Sequence, residues 1–240
     1  MEDVKCTIVS AFIVIDNERR DSLDYDKQGR IFLEIDVPKI VFMDREMIEH
    51  FQKFSNEKTV LIPFDKEEML MWSSVDEKIE MPTNRCVKKD SKEYMMCMNT
   101  KTEWIRRAIE LDLFHTEYFA WIDFGISYIC SDIDRYKSSL EKISKTEIKN
   151  GKIRAPQIST NIDVTLFYDR IFWFFAGGLF GGCKKVLLEF DKLASRKFKE
   201  TVESGRICWE VNIWFKIYLD NKDVFDMYKA DHNLSMLENF

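Results

Sequence analysis

Hydrophobic and polar positions in the first half of the chain alternate between two periods. Residues 6–15, CTIVSAFIVI, form an unbroken, β-branched run, the pattern of a strand buried on both faces. KIVFM at 39–43 and TVLI at 59–62 predict two further strands, each beside a proline, Pro38 or Pro63. Between about 93 and 112, Met95, Met98, Ile105 and Ile109 keep to one face at helical spacing, which predicts an amphipathic helix. A strand follows at 117–122, EYFAWI, and ends at Asp123 and Gly125. Strands alternating with helices predict an α/β fold, a parallel or mixed sheet flanked by helices.

The second half is patterned differently. Residues 131–161 are polar and charged, with an amphipathic piece around Tyr136, Leu140 and Ile143 and then a loop at Gly151 and Pro156. An apolar strand is expected at 171–176, running into GGLFGG at 177–182. Leu187, Phe190, Ala194 and Phe198 repeat at helical spacing, as do Ile207, Val211, Trp214 and Tyr218, so two helices are expected to close the fold. No internal repeat and no linker stands out, and a single domain is expected.

Composition narrows the classes of function. Of 240 residues, 45% are hydrophobic and 14% aromatic, enough for a sizeable core, while 8 Gly and 4 Pro leave little room for a disordered tail or a repeat array. A net charge of -6 and a pI near 5.3 argue against a non-specific nucleic-acid binder, which needs a basic surface. The most apolar run, Ile171 to Cys183, has 13 residues, short of the roughly 20 that cross a bilayer. Glu2 and Asp3 stand where a secretory signal carries basic residues, and Asp16 interrupts the apolar run that follows. Six cysteines are scattered with no CxxC pair, which suits free thiols in a reducing compartment. A cytoplasmic protein is expected.

Several groups of residues are candidates for chemistry. WIDFG at 121–125 puts the carboxylate of Asp123 at the C-terminal end of a hydrophobic strand, where open α/β sheets bind their ligands. Such an Asp offers an oxygen to Mg²⁺ or Mn²⁺, or else caps the next turn. AGGLFGG at 176–182 holds four of the eight glycines in a spacing that is neither GxGxxG nor a P-loop. These glycines either admit a ligand close to the backbone or make a tight turn under aromatic residues. Asn99 and Lys101 share a predicted helix with Trp104, Arg106 and Arg107. A lysine there pairs with a phosphate, or the group forms a solvated charged face, and Arg19 and Arg20 carry the same ambiguity. Glu210 lies early in the last predicted helix, and Asp231-His232-Asn233 lies near the end of the chain. A carboxylate at a helix start favours the dipole without any catalysis. The lysine-rich face at 184–199 reads as solvated surface.

Four stretches taken in order resemble the HtrL/YibB (WlaTC) family of glycosyltransferase candidates. They are SAF at 10–12, NTKTEWIRRAIELDLFHTEYFAWIDFGI at 99–126, FFAGGLFGG at 174–182 and the ExxIW helix at 210–214. The middle two are the most specific, and residues 20–90 carry little of the likeness. The resemblance implies a GT-A-like fold, a Rossmann-type mixed sheet in a single domain, with a nucleotide-binding half at about 1–130 and an acceptor-side half at about 131–240. It implies transfer of a hexosyl or pentosyl group from a nucleotide-sugar donor to a glycan acceptor, usually with a divalent metal. GT-A enzymes hold that metal with an Asp-x-Asp motif. Asp123 matches the position and Gly125 replaces its partner, so His232, or Asp231 beside it, would supply a second ligand to Mn²⁺ or Mg²⁺.

The same resemblance implies roles for other residues. Ala11 and Phe12 would border the base or ribose, and Lys101 would face the diphosphate or position the donor sugar. Gly177, Gly178, Gly181 and Gly182 would line the sugar and acceptor side. Glu210 would be the general base on the acceptor hydroxyl. Trp173 or Trp209 would stack on a sugar ring, unless it belongs to the core. Two other readings remain beside this one. A non-catalytic glycan-binding or interaction module is favoured by the missing second Asp. A metal-dependent phosphoryl hydrolase would use Asp123, Glu210 and Asp231. No nucleic-acid partner is expected, and the donor, the acceptor and the oligomeric state are left open.

Overall fold

The structure is a computed structural model and describes residues 4–15, 22–149 and 151–240. In chain order it begins with β1 (Cys6–Phe12), α1 (Ser22–Glu34), β2 (Lys39–Met43), α2 (Ile48–Gln52) and β3 (Thr59–Pro63). Next come α3 (Lys92–Asn99), α4 (Lys101–Leu111), β4 (Tyr118–Ile122) and α5 (Ile133–Ser144). It closes with β5 (Ile153–Gln157), β6 (Leu179–Cys183), α6 (Lys184–Glu203), α7 (Glu210–Asp220), β7 (Phe225–Lys229) and α8 (Ser235–Glu238).

The strands form one seven-stranded sheet in the order β3-β2-β1-β4-β6-β5-β7. Strand β6 runs antiparallel to both its neighbours and every other pairing is parallel. This is the α/β mixed sheet flanked by helices that the pattern predicts. Because side chains alternate across a strand, each central strand feeds two cores. On β4, Phe119 and Trp121 join the core shared with Trp104, Phe190 and Trp214. Ala120 and Ile122 join the other, with Phe32, Tyr136 and Leu237.

Three expectations need correction. The helix over 93–112 is two helices parted at Thr100, whose Oγ1 donates to the Met96 carbonyl at 2.9 Å while its N–H divides between Met96 and Cys97. Such back-bonding bends or breaks a helix without disturbing its apolar stripe. The strand expected at 171–176 is irregular chain, and the strand begins at Leu179, so Gly181 and Gly182 lie inside β6. The loop expected at Pro156 is β5, whose pairing with β6 is one register position, Arg154 with Gly181. A strand with so little to donate on one side tolerates a proline.

This topology sets up a single rim. The C-terminal ends of β1, β4, β5 and β7 point the same way, and the reversed β6 brings its N-terminal end to them. Among the described residues no helix is long and apolar enough to cross a membrane.

Candidate functional site

The strand order turns back between β1 and β4, and the crevice beyond such a switch point is where open sheets take ligands. A cavity of about 630 Å³ opens there, lined by Ala11 and Phe12 at the end of β1 and by Asp123 and Phe124 just after β4. One wall is aromatic. Phe12 stacks on Phe124 with centroids 5.0 Å apart, and Phe51 meets both rings edge-on at 5.5 and 5.3 Å. Tyr25, from α1, completes that wall 5.4 Å from Phe12. The cluster nests under α1 because residue 29 is glycine; a Cβ there would sit 2.5 Å from the Phe124 ring and 2.6 Å from that of Phe51.

Asp123 is held from behind. Its Oδ1 accepts from the Trp121 indole N–H at 2.6 Å and faces the Lys101 ammonium at 3.0 Å. Lys101 also donates to the Gly177 carbonyl at 2.9 Å and to Glu210 Oε1 at 3.1 Å. Burial by itself would pull the Lys101 pKa down, but Asp123 and Glu210 outweigh it and hold the ammonium above its ordinary value. Three residues from α4, the β4 end and the α7 start, far apart in sequence, thus form one network. Glu210 is the first residue of α7, where the dipole favours a negative charge. Burial, followed by the nearby Glu210 and Asp123 charges, raises the pKa of Tyr94 in the cavity lining.

A second cavity, also of about 630 Å³, lies further along the same rim. The chain following β5, the chain leading into β6 and the turn after β7 bound it, through Asn161, Asp163, Arg170, Trp173 and His232. Lys89 and Tyr128 line both cavities.

Ala11, Phe12 and Asp123 therefore line the first cavity, and His232 lines the second. The ligand pair of Asp123 with His232 is divided between two cavities. Among the described residues no group of three or more His, Cys, Asp or Glu stands together as a metal site. Lys101, expected to face the diphosphate or to position the donor sugar, is 1% exposed and pairs with Asp123 and Glu210. Glu210 lines neither cavity; it sits behind Gly177, where a Cβ would collide with Oε1.

Gly178 lies against Asp123, whereas Gly181 and Gly182 line neither cavity. Both lack room for a Cβ: the Phe119 carbonyl and the Phe240 ring press on Gly181, and Val186 and the Lys152 carbonyl press on Gly182. Trp209 is core, and Trp173 is 42% exposed. Arg106 and Arg107 form ion pairs with Glu103, Glu110 and Asp191, and Trp104 is buried against Trp121. Arg19 and Arg20 lie outside the described residues. Sequence reasoning missed Lys89, Tyr25 and Phe51, which come from the stretch where the resemblance is weakest. Phe124 was within reach, as the neighbour of Asp123 in WIDFG.

Comparison with known proteins gives one family match. Residues 12–234 match HtrL_YibB, described as a bacterial protein of unknown function. No curated protein matches. Among solved structures the chain is similar to mouse xyloside xylosyltransferase 1 in its apo form, at 8% identity and a TM-score of 0.47, over 94% of this chain and 85% of that one. It is similar to Rv0371c from Mycobacterium tuberculosis H37Rv at 7% identity and a TM-score of 0.46, over 96% and 90%. It is also similar to 4-diphosphocytidyl-2C-methyl-D-erythritol synthase from Anaerococcus prevotii DSM 20548, at 6% and 0.46, over 98% and 92%.

Proposed function

The chain belongs to the HtrL_YibB family, and from that footing we propose that it is a glycosyltransferase, moving a hexosyl or pentosyl group from a nucleotide-sugar donor to a glycan acceptor. One observation carries the reading: the carboxylate of Asp123 is fixed by a buried cation at the strand-order switch point, on the lining of an aromatic-walled cavity. The lining of the first cavity comes wholly from residues 11–128, so the donor belongs with the half at about 1–130. The second cavity draws mainly on residues 158–232, which gives the acceptor side to the half at about 131–240.

The wall of Phe12, Tyr25 and Phe124 offers flat apolar surface to a nucleobase. Lys89, among the described residues the one lysine or arginine in the lining of the first cavity, meets the negative charge of a diphosphate and stands where the two cavities join. The donor set at Asp123 fits a divalent cation that arrives with the diphosphate. Oδ1 is occupied by Trp121 and Lys101, but Oδ2 lies 3.4 Å from Lys101 and keeps room for one ligand bond. One carboxylate plus substrate oxygens is an ordinary way to hold Mg²⁺. Mn²⁺ or Mg²⁺ bound there would act as a Lewis acid on the leaving diphosphate. Glu210 and Lys101 act as positioning residues, holding Asp123 in place.

The test is a thermal-shift panel of UDP-, GDP- and dTDP-sugars, each with and without Mn²⁺. A ligand at about 100 times its dissociation constant adds roughly 2.7 kcal/mol. One nucleotide family is expected to shift the wild type. In Asp123→Ala, which leaves Lys101 paired with Glu210, the fold is expected to survive and donor affinity to fall by about tenfold or more. Unchanged donor binding and turnover in that variant removes Asp123 from the site. A second reading, a non-catalytic glycan-binding module, is favoured by the seclusion of Glu210. It predicts saccharide binding with no shift by any nucleotide sugar.

A further inference from the structure

Trp173 stands out among six tryptophans as the exposed one, at 42%, while Phe172 and Phe174 on either side are buried. The loop that carries it is not slack. Asn212, fully buried on α7, accepts from the Phe172 N–H at 2.7 Å and donates to the carbonyls of Phe167 at 2.7 Å and Arg170 at 2.9 Å. Ile158 also donates to the Phe174 carbonyl at 3.0 Å. Trp173 is therefore held out over the second cavity by a backbone fixed on both sides, with the His232 ring edge-on at 5.3 Å.

Beside the apolar Ile158, Ile162 and Ile171, the lining holds Asn161, Asp163, Arg170 and His232, whose side chains are planar hydrogen-bond donors and acceptors. Hydrogen bonds from Thr165, then the Arg170 charge, hold the Asp163 carboxyl below its ordinary range. Among the described residues no hydrogen bond or ion pair engages the Arg170 guanidinium. A flat apolar ring beside several planar hydrogen-bonding groups matches a pyranose, with one C–H face and a rim of hydroxyls.

We propose that this second cavity binds a pyranose ring of the acceptor saccharide, stacked on Trp173 and hydrogen-bonded by Arg170, Asp163 and Asn161. That the ring is an acceptor rests on the transferase reading; that it binds here does not. The joint wall of Lys89 and Tyr128 places a hydroxyl of this ring next to a donor in the first cavity.

The experiment is saturation-transfer NMR with a panel of methyl α- and β-pyranosides of glucose, galactose, mannose, N-acetylglucosamine and glucuronic acid, run beside the nucleotide thermal-shift panel. At least one glycoside is expected to receive saturation from the wild type, about tenfold less from Trp173→Ala or Arg170→Ala, and intermediate amounts from Trp173→Phe. The nucleotide shift is expected to be the same in Trp173→Ala as in the wild type. Absence of transfer to every glycoside, or equal transfer to wild type and Trp173→Ala, overturns the proposal even when nucleotides bind. Trp173-dependent transfer with no nucleotide shift keeps the saccharide site and removes the transferase reading.

Discussion

Lys39 and Lys101 are both 1% exposed or less, yet they are held in opposite ways at opposite rims of the sheet. Lys39 opens β2, at the rim away from the cavities. Its ammonium donates to the Leu33 carbonyl at 3.3 Å, to that of Ile35, and to Thr59 Oγ1 at 3.0 Å. Burial pulls its pKa down to about 7, although Asp36 draws it the other way. Lys101, on the cavity rim, faces two carboxylates and is raised. The first arrangement ties the C-terminal end of α1 to the sheet with dipoles alone, where a helix end favours a cation. The second concentrates formal charge, which costs so much desolvation that apolar packing would stabilise the fold as well. On the proposed function, charge at the cavity rim serves the ligand, and charge at the far rim serves the fold.

The largest expected effect comes from removing the cation on the cavity rim. Lys101→Met leaves Asp123 and Glu210 facing each other unpaired and is expected to lose about 3–5 kcal/mol in a urea titration. A loss below about 1 kcal/mol would break the contrast.

Next is the pH profile. The unfolded Lys39 keeps its proton to about pH 10, whereas the folded one releases it near pH 7. Between those values the unfolded state binds more protons, so stability rises with pH, on the order of a few kcal/mol. Lys39→Met should remove that rise. Lys101 adds no slope in this range, because its stabilisation is complete below its unfolded pKa and is lost as pH rises from there through the raised folded one. A wild-type profile that stays level from pH 7 to 9.5, followed by chemical denaturation, would sink the account of Lys39.

Smaller again is Gly177→Ala, which drives a methyl group into Glu210 and should cost about 1–3 kcal/mol by calorimetry. Smallest is Trp173→Ala, expected to stay within about 0.5 kcal/mol of wild type because the loop is anchored elsewhere.

The two halves of the chain differ in how well they can be read. β1, β2 and β4 are parallel and mostly buried on both faces, and β3 pairs parallel at the edge, half-buried, so all four appear as apolar runs that the pattern finds. The pattern sets β6 too early and reads β5 as a loop because tertiary demands override strand propensity there. Two glycines sit in β6 because a backbone carbonyl presses on each, with the Phe240 ring against Gly181 and Val186 against Gly182, and Pro156 survives where the pairing is thin. β7, FDMYK, has no clear alternation and went unseen. At the site, Asp123 was legible because a strand end is a local signal. The seclusion of Lys101 and Glu210 was not, since each needs a partner that the topology brings from 109 positions away. The same holds for Lys89 and Arg170, whose value comes only from the loops they meet.

The reversal of β6 has a consequence for how such a chain can diversify. The segment between β5 and β6 leaves and returns at the same rim, so it is an excursion and not a crossover. Its length can change without displacing any strand or threading past a helix. Insertions, deletions or grafts between residues 159 and 171 would remodel the cavity under Trp173 while leaving in place Gly177 and Gly178, which bond to Lys101 and Asp123. Chimeras exchanging this one excursion between relatives should therefore trade selectivity as a module.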